Sequence, residues 1–219
     1  MNTSKSEAAY RLLHTRIAEG TFTPGYRLVL GTIASELGCS VVPVREAIRR
    51  PEAEGLVTFE RNVGATVAAA DNALYLHTMQ TLAIIEGAAT ALSAPFVDAD
   101  QLAAARAINQ AMTDLLTDFD PPRFTELNNE FHQVLYRNCP NPHILDLVHR
   151  GWNRLALMRS SSFTHIPGRA RESVREHAQL LDMIEAQAPA GEIEQAARAH
   201  RTNTLNAYLA AANLPASPL

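Results

Sequence analysis

Little in this sequence invites covalent or membrane chemistry. Among 219 residues there are only two cysteines, Cys39 and Cys139, and their separation matches neither a metal-binding nor a redox spacing, so both are expected to be buried free thiols. One tryptophan and 6% aromatic residues leave the core mainly to aliphatic side chains. No run of eighteen apolar residues occurs, which excludes a membrane-spanning helix. The first residues, MNTSKSEAAY, lack the apolar stretch that follows the charges of a signal peptide, and a cytoplasmic location is expected. Basic residues are also in short supply. The formal net charge is −4, which argues against a surface that binds nucleic acid all over.

What remains is a chain with 47% hydrophobic residues, enough for a small domain followed by a larger one. Charge is divided unevenly between them. Residues 1–70 hold eight Lys and Arg against seven Asp and Glu, whereas the rest holds eleven against sixteen. The basic part is N-terminal.

That part reads as three helices followed by a hairpin. Ser4 with Glu7 three residues on is a capping-box spacing, and Ala8, Leu12, Leu13 and Ile17 form one stripe ending near Gly20. TFTPGYRL reads as a turn. A short helix over about 31–37 turns Ile33, Ala34 and Leu37 inward and closes at Gly38. The third helix has Pro43 at a first helical position, Val44, Ala47 and Ile48 as its apolar stripe, and Arg45 and Arg49 on one face. Beyond Gly55, LVTFE and ATVAA joined by RNVG look like a two-stranded wing. In a helix-turn-helix the second helix of the motif enters the major groove, where a guanidinium can bind guanine or clamp a phosphate. Arg45 and Arg49 are the candidate DNA-binding residues of that helix.

From residue 71 every segment reads as helix. The first opens at a possible Asp71 cap, and others follow at about 98–118, 121–138, 142–163, 169–187 and 191–212, separated by proline or glycine; an antiparallel bundle is expected. Of eight histidines, His14, His77, His143, His149 and His165 have no partners at informative spacing. Asn128 and His132 stand four apart on one helix face, and His177 and His200 lie on two further helices. Three imidazoles and an amide oxygen on three helices can meet at one point, as bundles build metal centres; histidines satisfied by hydrogen bonds in the core remain the alternative.

The blocks GTFTPGYRL, IASELGCS, PVREAI, EAEGLV and RNVGATVA, in order over residues 5–70, resemble the winged-helix domain of GntR-type bacterial transcription regulators. NNEFH, the EH before a helix with a GE turn, and AARAH resemble the FCD ligand-binding domain of FadR-type members, over nearly all of 71–215. The resemblance implies a winged-helix DNA-binding domain at 1–70, with Ser40, Arg45, Arg49, Arg61 and Gly64 as its DNA-binding residues, and an all-helical effector and dimerisation domain at 71–219. It further implies a divalent metal (zinc, nickel or manganese) on Asn128, His132, His177 and His200, holding a small carboxylate effector. The chain would then be a repressor and not an enzyme, a homodimer on a palindromic operator.

Several positions depart from the family pattern. Val41 replaces an arginine, Val42 a Ser or Thr cap, and Pro51 a leucine, so that helix three is expected to kink or to end a turn early. Asn128 stands for the more usual Asp, and the gap from His177 to His200 is one residue longer. Leu82 stands where many relatives carry an arginine four residues before the glutamate that is Glu86 here; Arg154, Arg159 and Asn203 are the candidate effector contacts in its absence. Two other functions fit the same residues. One is a metal-dependent hydrolase on the three histidines, although Glu130, the nearest acid in sequence to His132, faces away. The other is a regulator with weakened DNA binding.

Overall fold

The computed structural model describes residues 4–60, 64–68, 72–158, 163 and 166–217. It divides into two compact units, Met1–Tyr75 with Asn153–Ser160 and Leu76–Trp152 with Ser161–Leu219.

The first unit contains α1 (Lys5–Ala18), β1 (Arg27–Leu28), α2 (Leu30–Glu36), α3 (Val41–Ala53), β2 (Val57–Glu60) and β3 (Gly64–Val67). The Ser4 hydroxyl accepts from the Glu7 N–H at 3.1 Å and caps α1. The reciprocal half of a capping box is not made, because the Glu7 carboxylate turns to Arg11 and Arg50. Leu13, Ile33, Val44, Ile48, Leu56, Val57 and Val67 share the core of this unit. The strands form one antiparallel sheet in the order β1-β3-β2, with Thr66 of β3 opposite both Arg27 and Thr58. The segment TFTPGYRL is thus more than a turn. Its end joins the wing as a third strand, too short to show an alternating pattern in sequence.

Two expectations about α3 are corrected. The helix starts at Val41, not Pro43, with Ser40 at the N-cap, so Val42 is not a cap and costs nothing as one. Pro43 falls at the third helical position, where an N–H would have no partner within the helix. Nor does α3 end early at Pro51. That residue is buried in the last turn, and the helix runs on to Ala53. Closure is by a Schellman arrangement: Gly55, at φ +77°, donates to the Glu52 carbonyl at 3.0 Å, and Leu56 donates to that of Pro51 at 2.8 Å.

The second unit is a helical bundle drawn from α4 (Asn72–Ser93), α5 (Ala99–Asp114), α6 (Pro121–Tyr136), α7 (Pro142–Met158), α8 (Pro167–Glu185) and α9 (Ala190–Ala211). Asp71 lies outside the described residues. Asp98 and Gln101 form a complete capping box that starts α5, and Asp120 caps α6. Met112, Phe124, Phe131, Leu135, Leu180 and Ile193 lie in one core. Two glycines set helix approach. A Cβ at Gly151 would lie 2.6 Å from Leu82 Cδ2, and one at Gly87 would lie 3.1 Å from the Glu194 carbonyl oxygen, so α7 and α9 each come close to α4. No helix among the described residues is long and apolar enough to cross a membrane.

Candidate functional site

The second unit brings His132 of α6, His177 of α8 and His200 of α9 together. Nitrogen atoms of all three lie within 4.8 Å of one another, and each residue is at most 4% exposed. The ring orientations are more telling than the proximity. His132 Nδ1 is 3.0 Å from Glu86 Oε1, His200 Nδ1 is 2.7 Å from Glu176 Oε2, and His177 Nδ1 is 3.1 Å from Asn109 Oδ1. An ionised carboxylate can only accept. The Asn109 amide donates its N–H to the Val174 carbonyl at 2.9 Å, which leaves its oxygen to accept as well. Every Nδ1 is therefore a donor, and every Nε2 carries its lone pair inward.

Those Nε2 atoms face each other. His200 Nε2 is 3.2 Å from both His132 Nε2 and His177 Nε2, and Ser173 Oγ stands 3.5 Å from His177 Nε2. Three lone pairs pointed at one place are a donor set that one cation can share. Two imidazole nitrogens bound to one metal at about 2.0–2.1 Å stand roughly 3.0–3.4 Å apart, so the spacing fits with little rearrangement. Asn128, one turn before His132 and also buried, has an Oδ1 without a hydrogen-bond partner among the described residues, which suits it as a neutral ligand. The donor set and the outward acceptors match a metal centre whose second layer fixes each imidazole.

Electrostatics keep the rings neutral. Burial is the largest effect on all three and pushes their pKa values down, His200 to about 3 even though its bond to Glu176 works the other way. For Glu86, burial raises the pKa, but Arg201 and then His132 outweigh it and hold the carboxyl ionised. At Glu176, burial is likewise overcome by hydrogen bonds from His200 and Arg169, bringing it to about 2. Glu86 is saturated: Arg201 Nη2 donates to both its oxygens, at 2.7 and 2.8 Å, and Trp152 Nε1 donates to Oε2 at 2.8 Å. Arg169 is buried too and holds Glu176, the His200 carbonyl at 3.1 Å and Thr204 at 3.1 Å. Phe131 stacks on His177 with ring centres 4.0 Å apart and walls the cluster with hydrocarbon.

The candidate effector residues fare differently. Asn203 is exposed and donates to Glu176 Oε1 at 2.9 Å, which places it behind His200 and away from the inward nitrogens. Arg154 belongs to the first unit, where it donates to the carbonyls of Glu54 at 2.9 Å and Ala53 at 3.3 Å, so it is engaged at the C-terminal end of α3. Arg159 lies outside the described residues. Glu86, Asn109, Glu176, Arg169 and Arg201 were not found by sequence reasoning. The only local signals were that Glu176 and Arg201 adjoin His177 and His200.

In the first unit, Arg45 and Arg49 project from α3 into solvent, and among the described residues neither takes part in an ion pair. They line a groove with Ile48, Glu52, Ala53 and the half-exposed Phe59 of β2. Arg50 differs. It pairs with Glu7 at 2.7 Å and lies over the Tyr10 ring at 3.6 Å, a contact that binds α3 to α1. The Ser40 hydroxyl makes no capping bond, and Val41 and Val42 are exposed at the start of the same helix. Gly64, at φ +101°, opens β3; Arg61 lies outside the described residues.

The family models settle what the arrangement belongs to. Residues 5–67 match the model of bacterial regulatory proteins of the gntR family, and residues 77–203 match that of the FCD domain. The chain is a GntR-family transcription regulator with an FCD domain. This GntR protein is 32% identical over 132 residues to an uncharacterised HTH-type transcriptional regulator of Agrobacterium vitis, covering 58% of this chain and 77% of that one. It is 27% identical to a probable D-xylose utilization operon transcriptional repressor of Paenarthrobacter nicotinovorans, covering 79% of this chain and 75% of the relative. The solved structure of E. coli McbR/YncC shares the fold, with a TM-score of 0.68 at 19% identity over 95% and 97% of the two chains. Membership of this family makes the GntR protein a DNA-binding regulator and not an enzyme.

Proposed function

We propose that this GntR protein is a metabolite-responsive repressor, FadR-type in organisation, whose segment 1–70 binds a palindromic operator as part of a homodimer and whose segment 71–219 senses a small organic acid through a divalent metal, in the cytoplasm. The observation that carries the sensing half is the set of three inward Nε2 lone pairs with every Nδ1 tied outward to Glu86, Asn109 or Glu176. His132, His177, His200 and Asn128 would hold the ion, which as zinc, nickel or manganese would supply positive charge and open positions to a carboxylate. The chain's own contribution is orientation. Glu86 and Glu176 fix two rings and are themselves fixed by Arg201 and Arg169, while Phe131 excludes water from the third.

For the DNA half, the exposed guanidinium groups of Arg45 and Arg49 on one helix face support contact with base edges or phosphates, with Ser40, Arg61 and Gly64 as further candidates. Repression is supported by the relative named as a repressor. A gel shift on the DNA upstream of the protein's own coding sequence tests both halves. Metal-loaded protein is expected to retard the fragment, and one of a panel of organic acids to release it. No retardation with or without metal would remove the operator-binding reading, and retardation indifferent to every acid would remove the sensing one.

A further inference from the structure

The operator-binding reading, on which this inference rests, accounts for the arginines of α3 but not for its first turn. Val41 and Val42 are the first two residues of the helix and are 36% and 61% exposed. Val41, Arg45 and Arg49 follow one another at intervals of four, and Val42 precedes Arg45 by three, so the four side chains share one face. That face is turned away from the core, which takes Val44, Ala47 and Ile48 from the same helix. Neither valine serves the helix itself. Ser40 holds the N-cap position, and an aliphatic side chain can neither accept an amide N–H nor answer the positive end of the helix dipole.

Their place at the start of α3 decides what they would meet on DNA. A recognition helix lies in the major groove with its N-terminal residues at the base edges, so the two valines are among the side chains that reach them. Those edges carry hydrogen-bond donors and acceptors, and the thymine C5-methyl is the apolar group that projects among them. A valine set against an amino group, a carbonyl oxygen or a ring nitrogen would displace its water and return no hydrogen bond, which is costly. Against a thymine methyl it buries hydrocarbon on both sides without that loss. Arg45 and Arg49, one and two turns further on, have the opposite preference, for guanine O6 and N7 or for phosphate.

We propose that Val41 and Val42 read thymine methyl groups, so that each operator half-site places A·T pairs under the first turn of α3, beside the positions met by Arg45 and Arg49. The test uses the full-length, metal-loaded protein and the retarded upstream fragment, cut down by footprinting to one operator and synthesised with thymine or with uracil throughout. Uracil pairs as thymine does and lacks only the methyl. Wild type is expected to bind the thymine duplex more tightly, by about fourfold for each methyl buried. The slope of affinity against salt is expected to be the same on both duplexes, because a methyl group carries no charge and releases no counterion. Val41→Ser with Val42→Ser, both at the surface, is expected to keep the melting temperature and the salt slope while binding the two duplexes equally. Val42→Thr, which keeps one methyl group, is expected to retain part of the preference. Equal binding of both duplexes by wild type, or a thymine preference undiminished in the double variant, would overturn the proposal and leave operator binding in place. Retardation of neither duplex by wild type would overturn both.

Discussion

Arg45, Arg49 and Arg50 lie on one helix and have different neighbours, so a single substitution at each separates recognition from stability. Arg49 makes no ion pair among the described residues, and Arg49→Ala is expected to weaken operator binding by about 1–3 kcal/mol if it reads a base, with an unchanged melting temperature. Arg50 ties α3 to Glu7 and Tyr10, and Arg50→Ala is expected to lower the melting temperature first. Titration of an operator fragment together with a melt for each variant checks this; the reverse pattern would exchange their roles. At this scale the sequence was partly legible. His132, His177 and His200 were recognisable because helical spacing and family resemblance both pointed to them. Asn109 and Glu86 were not, because an acceptor for a ring nitrogen comes from another helix, 68 residues away for Asn109, and nothing local marks it. The engagement of Arg154 was not legible either. Its partners are backbone carbonyls about a hundred residues earlier in the chain, which no side-chain pattern reports.

Helix approach decides where the site's side chains stand. Gly151 lets α7 close on Leu82 of α4, and Glu86 is one turn further along α4, where Trp152 of α7 meets it. Gly151→Ala would press a methyl into Leu82 and is expected to cost about 1–3 kcal/mol by overpacking. Urea denaturation checks the cost, and in a Leu82→Ala background the added cost of Gly151→Ala should shrink; a neutral single variant would mean that the helices can part without loss. The elements themselves were mostly readable. Proline, glycine and capping residues punctuated the bundle, and its helix starts fell within a few residues of expectation. The wing's third strand and the start of α3 were not readable. A two-residue strand has no period, and a proline at the third position of a helix looks the same in sequence as one at the first.

For the molecule as a whole, the buried cluster couples folding to pH. In the metal-free protein the three imidazoles have pKa values below the ordinary value near 6.5, His200 at about 3, so between these limits the unfolded chain binds more protons than the folded one. Stability is then complete above about pH 6.5 and falls as pH drops, by up to about 1.4 kcal/mol per pH unit for each imidazole. Glu86 and Glu176, whose pKa values are lowered, add to the loss below about pH 4.5, as pH falls toward their folded values. Urea midpoints of stripped protein are expected to decline steadily from pH 7 to pH 5, and a flat profile would contradict buried neutral rings.

The metal centre itself is tested most directly by elemental analysis of protein purified without a histidine tag or chelator, paired with a melt before and after added zinc. The expected result is one divalent ion per chain. Stripped protein should gain about 2.7 kcal/mol when zinc is restored to a hundredfold excess over its dissociation constant, and His177→Ala should lose both the ion and the gain. No bound metal, and no shift on adding zinc to either wild type or Asn128→Asp, would instead make His132, His177 and His200 ordinary core residues.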